Sequence, residues 1–357
     1  MTSPSERRAH VVGLGLIGAS IARSLAGTGW IVTGSDRDVA VTDRAIELSI
    51  VVGSEPAPAT TLVVIATPAG IVAELARAVL ERLDDPEAIV TDVAGVKSAI
   101  VAAVSDPRFI GGHPMAGSEQ RGLGASRDDL FRGCTWVLTP TAVTEPGHYS
   151  RLHGYLRELG ANVVAITAED HDRLVALASH VPHLVAGALM NEASVAAEQD
   201  AVLLQLAAGG FRDMTRIAAG DPSIWPDVLF ENRDAVTKTL RSLEERLATI
   251  RAALDDGRRD EVATKLATAS LARRQLPGRA LSADRLAYLR VAVSDRPGEL
   301  ATVTVAASDM AVNIFDIEIA HGIEGVSGTL LLAVDADHAA RFQDTLVAMG
   351  FSVTLER

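Results

Sequence analysis

Residues 9–36 read AHVVGLGLIGASIARSLAGTGWIVTGSD, and this stretch decides the fold of the first half of the chain. A short apolar run, HVV, enters Gly13-Leu14-Gly15-Leu16-Ile17-Gly18, and an Ala/Leu-rich helical pattern follows it. In such a strand–turn–helix, Gly13 permits the tight turn and Gly15 lets a pyrophosphate approach the backbone. Gly18 allows the helix to pack closely on the strand. The helix N-terminus then faces the phosphates. The next apolar run ends in Asp36, eighteen residues beyond Gly18, close to where an acidic residue accepts a ribose 2'-hydroxyl. A carboxylate there repels a 2'-phosphate, so the pattern favours NAD over NADP. Arg37 beside it softens that repulsion, and capping of the strand end would also account for Asp36.

Working outward, the runs TLVVIATP, AIVTDV, RFIGG, TWVLTP and NVVAIT continue the rhythm to about residue 166, each separated by a helical pattern. Continuous rather than alternating apolar strands argue for a mostly parallel sheet covered on both faces. The expectation for 1–167 is a doubly wound α/β domain of the Rossmann type. Thr67-Pro68 and Asp92 end two of these strands and should lie along the carboxyl edge of the sheet with the cofactor. Ordinary turn chemistry explains that pair equally well.

At Thr167 the pattern changes. TAEDHDRLVALASHV reads as a helix with Thr167 as N-cap and Asp170 as its capping-box partner. No convincing strand returns for over a hundred residues. Val236, Leu240, Leu243, Leu247, Ile250 and Leu254 alternate spacings of four and three, the a/d stripe of a heptad seam. An all-helical segment offers few other large faces to cover that seam, which favours a subunit interface over an intramolecular bundle. A polar connection opens at Pro277-Gly278, and the remaining stretch reads βαββαβ, a ferredoxin-like unit. The expected domains are therefore 1–167, 168–280 (helical) and 286–357.

Composition narrows the chemistry. With 33 Lys plus Arg against 46 Asp plus Glu, the formal net charge is -13, which argues against a polybasic nucleic-acid or lipid binder. A 48% hydrophobic content over 357 residues supplies ample core and excludes disorder as the main state. The single cysteine, Cys134, can make neither an internal disulfide nor a Cys-based zinc cage. The polar, basic start does not read as a signal peptide, and charged residues or glycine break every apolar run short of a membrane span. A cytoplasmic enzyme with no metal site is the expectation.

Hydride removal from a carbinol carbon needs a base for the hydroxyl proton and a cation for an acidic substrate. Of nine histidines, His113 stands out, following the strand RFIGG in the glycine-rich GGHPMAGSE. His180 and His183 lie three apart, so a helix places them on one face, with Pro182 as a kink between them. Arg212 or Arg216, in GFRDMTRIA, could clamp a carboxylate.

Together, GLGLIG, TDVAGVK, GGHPMAGSE, SHVPH, GFRDMTRIA and DPSIW, in that order along nearly the whole chain, resemble the bacterial prephenate and arogenate dehydrogenases of tyrosine biosynthesis. The resemblance implies a nucleotide-binding domain, a helical dimerisation domain and a C-terminal ACT domain. It implies that His113 takes the ring-hydroxyl proton as hydride leaves for NAD, with decarboxylation then aromatising the ring. His183 and Arg216 would hold the substrate, and His180, Ser118 and Glu119 would line its pocket. Gly13, Leu14, Gly15, Leu16, Ile17, Gly18, Asp36, Arg37, Thr67, Pro68 and Asp92 would form the cofactor site. Where the family often carries a serine this chain has Gly95, so Ser98, Ser118 or a water would supply the hydroxyl. In the C-terminal unit, Asp295, Gly298 and Asn313 match the ACT effector pattern, with tyrosine as the natural effector and a homodimer as the natural assembly. The competing functions are another hydroxy-acid dehydrogenase, which would release no carbon dioxide, and a non-catalytic amino-acid sensor.

Overall fold

The computed structural model describes residues 7–117, 120–200, 202–203, 206–275, 286–294, 296, 298–321 and 327–356. Contacts divide the chain into two compact units. The first comprises 1–201 and 214–244, the second 202–213 and 245–357. The helical segment expected as one domain is thus shared between them.

In the first unit, strands β1 (Arg8–Val12), β2 (Ile31–Ser35), β3 (Leu62–Ile65), β4 (Ile89–Asp92), β5 (Phe109–Pro114), β6 (Thr135–Thr139) and β7 (Asn162–Ala165) form one sheet. Its order is β2-β1-β3-β4-β5-β6-β7, parallel throughout except for β5 against β6. Every residue of β3 and β4 is buried, as continuous apolar runs demand of a sheet covered on both faces. Helices α1 (Leu16–Gly27), α2 (Val39–Glu47), α3 (Ala69–Arg82), α4 (Ser98–Ala103) and α5 (Pro146–Glu158) make the crossovers. Strand order reverses between β1 and β3, the crevice where open α/β sheets take their ligands, and the glycine loop lies there.

Thr167 caps α6 (Ala168–Val175), accepting from the Asp170 N–H at 3.1 Å. The reciprocal bond differs from a capping box: the Thr167 hydroxyl itself donates to Asp170 Oδ2 at 3.2 Å. A π-turn, Ala176–His180, joins α6 to α7 (Val181–Gln199). Pro182 has no N–H to give the preceding turn, and a widened turn absorbs the loss without breaking the helix. The continuous helix Ala168–Glu198 is long and apolar enough by composition to cross a membrane. Its buried positions include His171 and Asp172, which bond to the domain before it, and His180, which bonds to Asn232 further along the chain. Then come α8 (Gly209–Thr215), a 3-10 turn at Arg216–Ala219, α9 (Trp225–Glu231), α10 (Arg233–Asp255) and α11 (Arg259–Arg274). At the start of α10, Val236 is buried against Ala176 and Val181, with Leu240 and Leu243 packed alongside.

In the second unit, β8 (Leu286–Ser294), α12 (Glu299–Asp309), β9 (Ile314–His321), β10 (Ser327–Asp335), α13 (Ala336–Ala348) and β11 (Ser352–Glu356) give the expected βαββαβ order. The sheet runs β11-β8-β10-β9, all antiparallel. Leu289, Val291 and Leu332 meet Phe342 and Leu346 in its core.

Candidate active site

Gly13 sits at φ +93°, and a Cβ there would lie 2.4 Å from the Ala66 carbonyl oxygen; one on Gly18 would lie 1.9 Å from the Gly13 carbonyl oxygen. Both positions exclude a side chain. Gly15 has no atom within 4 Å of its would-be Cβ and opens onto a cleft of about 740 Å³, which Leu16, Ile17 and Ala66 also line. The two tight glycines build the turn, and the open one exposes backbone to a ligand at the start of α1.

The Asp36 carboxylate, half-buried at the end of β2, ties the loop in place. Its Oδ2 accepts the Leu14 N–H at 2.8 Å and its Oδ1 accepts the Asp38 N–H at 3.0 Å. Each oxygen keeps a further acceptor site for a ribose hydroxyl. Leu14 contributes only its backbone, since its side chain is buried in the core. Arg37 is exposed beside Asp36, and Pro68 is the N-cap of α3. Thr67 Oγ1 is buried without a hydrogen-bond partner, an acceptor and donor left over for a bound group. These residues fit a dinucleotide: open glycine, unspent hydroxyl and strand-end carboxylate fall along one sheet edge.

Asp92 departs from expectation. Its carboxylate is fully buried and accepts from Lys97 Nζ, the Ala94 N–H at 2.9 Å and the Gly112 N–H at 3.1 Å. Burial lowers the Lys97 pKa, and the Asp92 and Asp172 charges oppose that shift. Asp92 therefore anchors the strand that carries His113; its side chain has no face left for a cofactor.

A second cleft, about 240 Å³, shares Ile17, Ala116 and Trp225 with the first and adds His113, His180 and Gly95. His113 ends up here because β5 runs beyond its pairing with β4, which stops at Ile110, while it stays paired to β6 through Val137. Its Nδ1 lies 2.8 Å from His171 Nε2, and His171 Nδ1 lies 2.8 Å from Asp172 Oδ1. Burial pushes the His113 pKa well below the ordinary histidine value; His171, Lys97 and His180 add to this and Asp172 opposes it. His113 is thus neutral at pH 7 with a nitrogen able to take a proton.

His180 is neutral as well, burial lowering its pKa to about 4. The Asn232 amide donates to the Asp172 carbonyl oxygen at 2.8 Å and to His180 Nδ1 at 3.2 Å. A neutral His180 that accepts at Nδ1 carries its proton at Nε2. His183 lines the larger cleft, stacked on Trp225 with ring centroids 3.7 Å apart, and burial lowers its pKa. Ser179 lines the smaller cleft together with His113. A Cβ on Gly95 would lie 3.8 Å from His113 Nε2, so the position has room for a side chain.

Arg216 is exposed at the start of its 3-10 turn, whose Ile217, with the following Gly220, lines the larger cleft. Ser118, Glu119 and Asp295 lie outside the described residues. Gly298 caps α12 at φ +100°, a conformation that favours glycine, and Asn313 is exposed just before β9. Residue patterns had not singled out His171, Asp172, Lys97, Asn232 and Trp225. Lys97 and Trp225 fall within the quoted TDVAGVK and DPSIW, and His171-Asp172 are adjacent in sequence, but the contacts that join these residues depend on long-range packing.

A family model described as "Prephenate dehydrogenase, nucleotide-binding domain" matches residues 21–165, and one described as "Prephenate dehydrogenase, dimerization domain" matches 167–268. A prephenate dehydrogenase of Bacillus subtilis is 30% identical over 346 residues, covering 92% of each chain. Among solved structures, Aquifex aeolicus prephenate dehydrogenase in complex with hydroxyphenyl propionate and NAD+ is 28% identical, with a TM-score of 0.72. That match covers 77% of this chain and 100% of the other. Synechocystis arogenate dehydrogenase is 32% identical with a TM-score of 0.65, covering 74% and 98%.

Proposed function

This chain belongs to the prephenate dehydrogenase family and is an NAD-dependent dehydrogenase, and from that premise we propose a reaction and a role for each residue of its site. The reaction is oxidative decarboxylation of prephenate to 4-hydroxyphenylpyruvate, or of arogenate to tyrosine. One observation carries it: His113, neutral and backed by a buried hydrogen-bond chain, opens into a cleft that adjoins the glycine loop.

NAD, when bound, accepts the hydride from the carbinol carbon. Gly15 and the N-terminus of α1 receive its pyrophosphate, Asp36 its ribose hydroxyls, and Thr67 a further polar contact. His113 takes the ring-hydroxyl proton at Nε2 as negative charge builds on that oxygen. His180 presents an N–H to the same cleft and holds a substrate oxygen in register. His183, stiffened by Trp225, and Arg216 hold the side-chain carboxylate, and Ser118 and Glu119 are further substrate residues that the family resemblance implies. Loss of carbon dioxide from the ring then aromatises it and makes the oxidation one-way.

Replacing His113 by Asn tests this reading. A general base is worth roughly 10²–10⁴ in rate, so kcat should fall by that factor while NAD binding persists. Turnover that survives, or that proceeds without carbon dioxide release, would remove the proposal. Assays pairing each substrate with NAD and NADP then identify the pair used.

The domain reading follows the same premise: 1–167 binds the nucleotide, 168–280 dimerises and 286–357 is an ACT-like regulatory unit. Gly298 and Asn313, with Asp295, are its effector residues, and tyrosine is the effector. The βαββαβ order and the left-handed Gly298 support this. Activity and melting temperature that ignore both tyrosine and phenylalanine would count against it.

A further inference from the structure

We infer that His171 and Asp172 are positioning residues that lock His113 in the tautomer whose Nε2 is free to accept the substrate proton. The inference rests on the reading of His113 as the base and adds what makes it one.

The chain of reasoning starts at Asp172. Its Oδ1 accepts the Lys97 N–H and its Oδ2 the Ser98 N–H, each at 2.8 Å, and Oδ1 also meets His171 Nδ1. Burial raises the pKa of this carboxyl, but the hydrogen bonds from His171, Ser98 and Lys97 outweigh burial and hold it below the ordinary carboxylate range. An ionised carboxylate only accepts, so His171 donates to it from Nδ1. The lock has His171 carry one ring proton, donated at Nδ1, and accept at Nε2. The 2.8 Å contact to His113 Nδ1 is then a bond that His113 donates. A neutral imidazole has one N–H, so His113 Nε2 carries a lone pair.

The opposite polarity would need either a proton on Asp172, whose two oxygens already face backbone N–H groups, or a second proton on fully buried His171. It would also place a proton on the very nitrogen that must receive one. His171 is fully buried, so no water competes for the bond. Among the described residues, the charged and titratable groups around His113 are His171 and Asp172 on α6, Lys97 before α4, His180 in the π-turn, and Asp92, which accepts from Gly112. Asp172 is the member of this set whose hydrogen bonds reach His113 through an imidazole. After capture, Nε2 and Nδ1 of His113 both carry protons. The resulting imidazolium keeps its bond to His171 and lies within the field of the Asp172 carboxylate.

A glutamine side chain offers one donor and one acceptor, as a neutral imidazole does, whereas leucine offers neither. With Asp172 still accepting, the amide nitrogen of a His171→Gln variant turns toward Asp172 and its oxygen toward His113. The lock therefore predicts that His171→Leu loses ten- to hundredfold in kcat, with the KM for NAD unchanged, and that His171→Gln returns to within about threefold of the parent. Nitrogen-15 NMR of histidine-labelled full-length protein reads the tautomer directly. His113 should show a protonated Nδ1 and a bare Nε2 in the parent and in His171→Gln, and a mixture in His171→Leu.

A parent protein with His113 protonated at Nε2, or a glutamine variant as slow as the leucine variant, overturns the lock. A leucine variant with the parent's kcat does the same. The underlying reading fails separately, if His113→Asn keeps turning over, and the NMR result stands whichever way that comes out.

Discussion

At the scale of single residues, Asp36 has two jobs. Its carboxylate accepts the Leu14 N–H, which shapes the glycine loop, and it is the acceptor offered to a ribose. Asp36→Ser shortens the group and removes its charge, so both effects weaken together. Losing a charged hydrogen bond costs about 1.5–3 kcal/mol, which is roughly ten- to hundredfold in NAD affinity. Loss of the negative charge next to exposed Arg37 should at the same time narrow the preference for NAD over NADP. Cofactor titrations by fluorescence check this; an unchanged ratio of the two affinities would show that discrimination lies elsewhere. The turn built by Gly13, Gly15 and Gly18 was legible in the sequence because it depends on local spacing, whereas His113, expected in a glycine-rich loop, lies in β5. The sequence left Asp92 open between a cofactor contact and a structural one, because its bonds are made by Lys97 and by Gly112 on a neighbouring strand. No local pattern distinguishes a strand-end aspartate that binds a ligand from one that is neutralised and buried.

At the scale of elements, α10 carries one stripe with two fates. Val236 is buried and Leu240 and Leu243 are partly covered, whereas Leu247 is 56% and Leu254 64% exposed. Leu266 and Leu271 on α11 add exposures of 64% and 60%. The dimerisation proposed for this segment would cover the open part of the seam, since fully burying each leucine stabilises by about 1.5–3 kcal/mol and a two-fold axis uses every contact twice. Leu247→Glu with Leu254→Glu should therefore convert a dimer to a monomer in light scattering at micromolar concentration. A doubly substituted protein of unchanged mass would move the interface off this seam. The periodicity showed that the stripe exists, because spacing is local. Where intramolecular cover stops depends on which helices fold back onto α10, and composition does not encode that. The π-turn was only half legible for a similar reason: Pro182 announces a disturbance, but whether the helix kinks or widens depends on the bonds that hold His171 and His180 on either side.

At the scale of the whole molecule, the buried polar groups make stability depend on pH with one sign. His10 lies inside the sheet, with Nδ1 2.9 Å from Thr33 Oγ1 and Nε2 3.1 Å from Ser35 Oγ. Burial lowers its pKa from 6.5 to about 4, and His180 is shifted likewise. His113 is displaced in the same direction. In the unfolded chain these imidazoles take up protons as pH falls through 6.5, while in the folded protein His10 and His180 stay neutral until about pH 4 and His113 stays neutral well below its ordinary value. The unfolded state then binds more protons, so stability is full above pH 6.5 and declines as pH drops toward 4. The depressed Asp172 pKa acts with the same sign at lower pH, its contribution being lost as pH falls through its folded value. Each histidine contributes a slope of up to about 1.4 kcal/mol per pH unit within that window. Urea midpoints at pH 7, 6 and 5 should therefore fall progressively. His10→Gln, which is outside the active site and keeps a polar side chain against Thr33 and Ser35, should flatten the decline by one group's share without altering turnover at pH 7. If the midpoints of parent and variant run parallel between pH 7 and 5, His10 is not titrating as its burial requires, and the acid sensitivity must come from groups on the surface or between subunits.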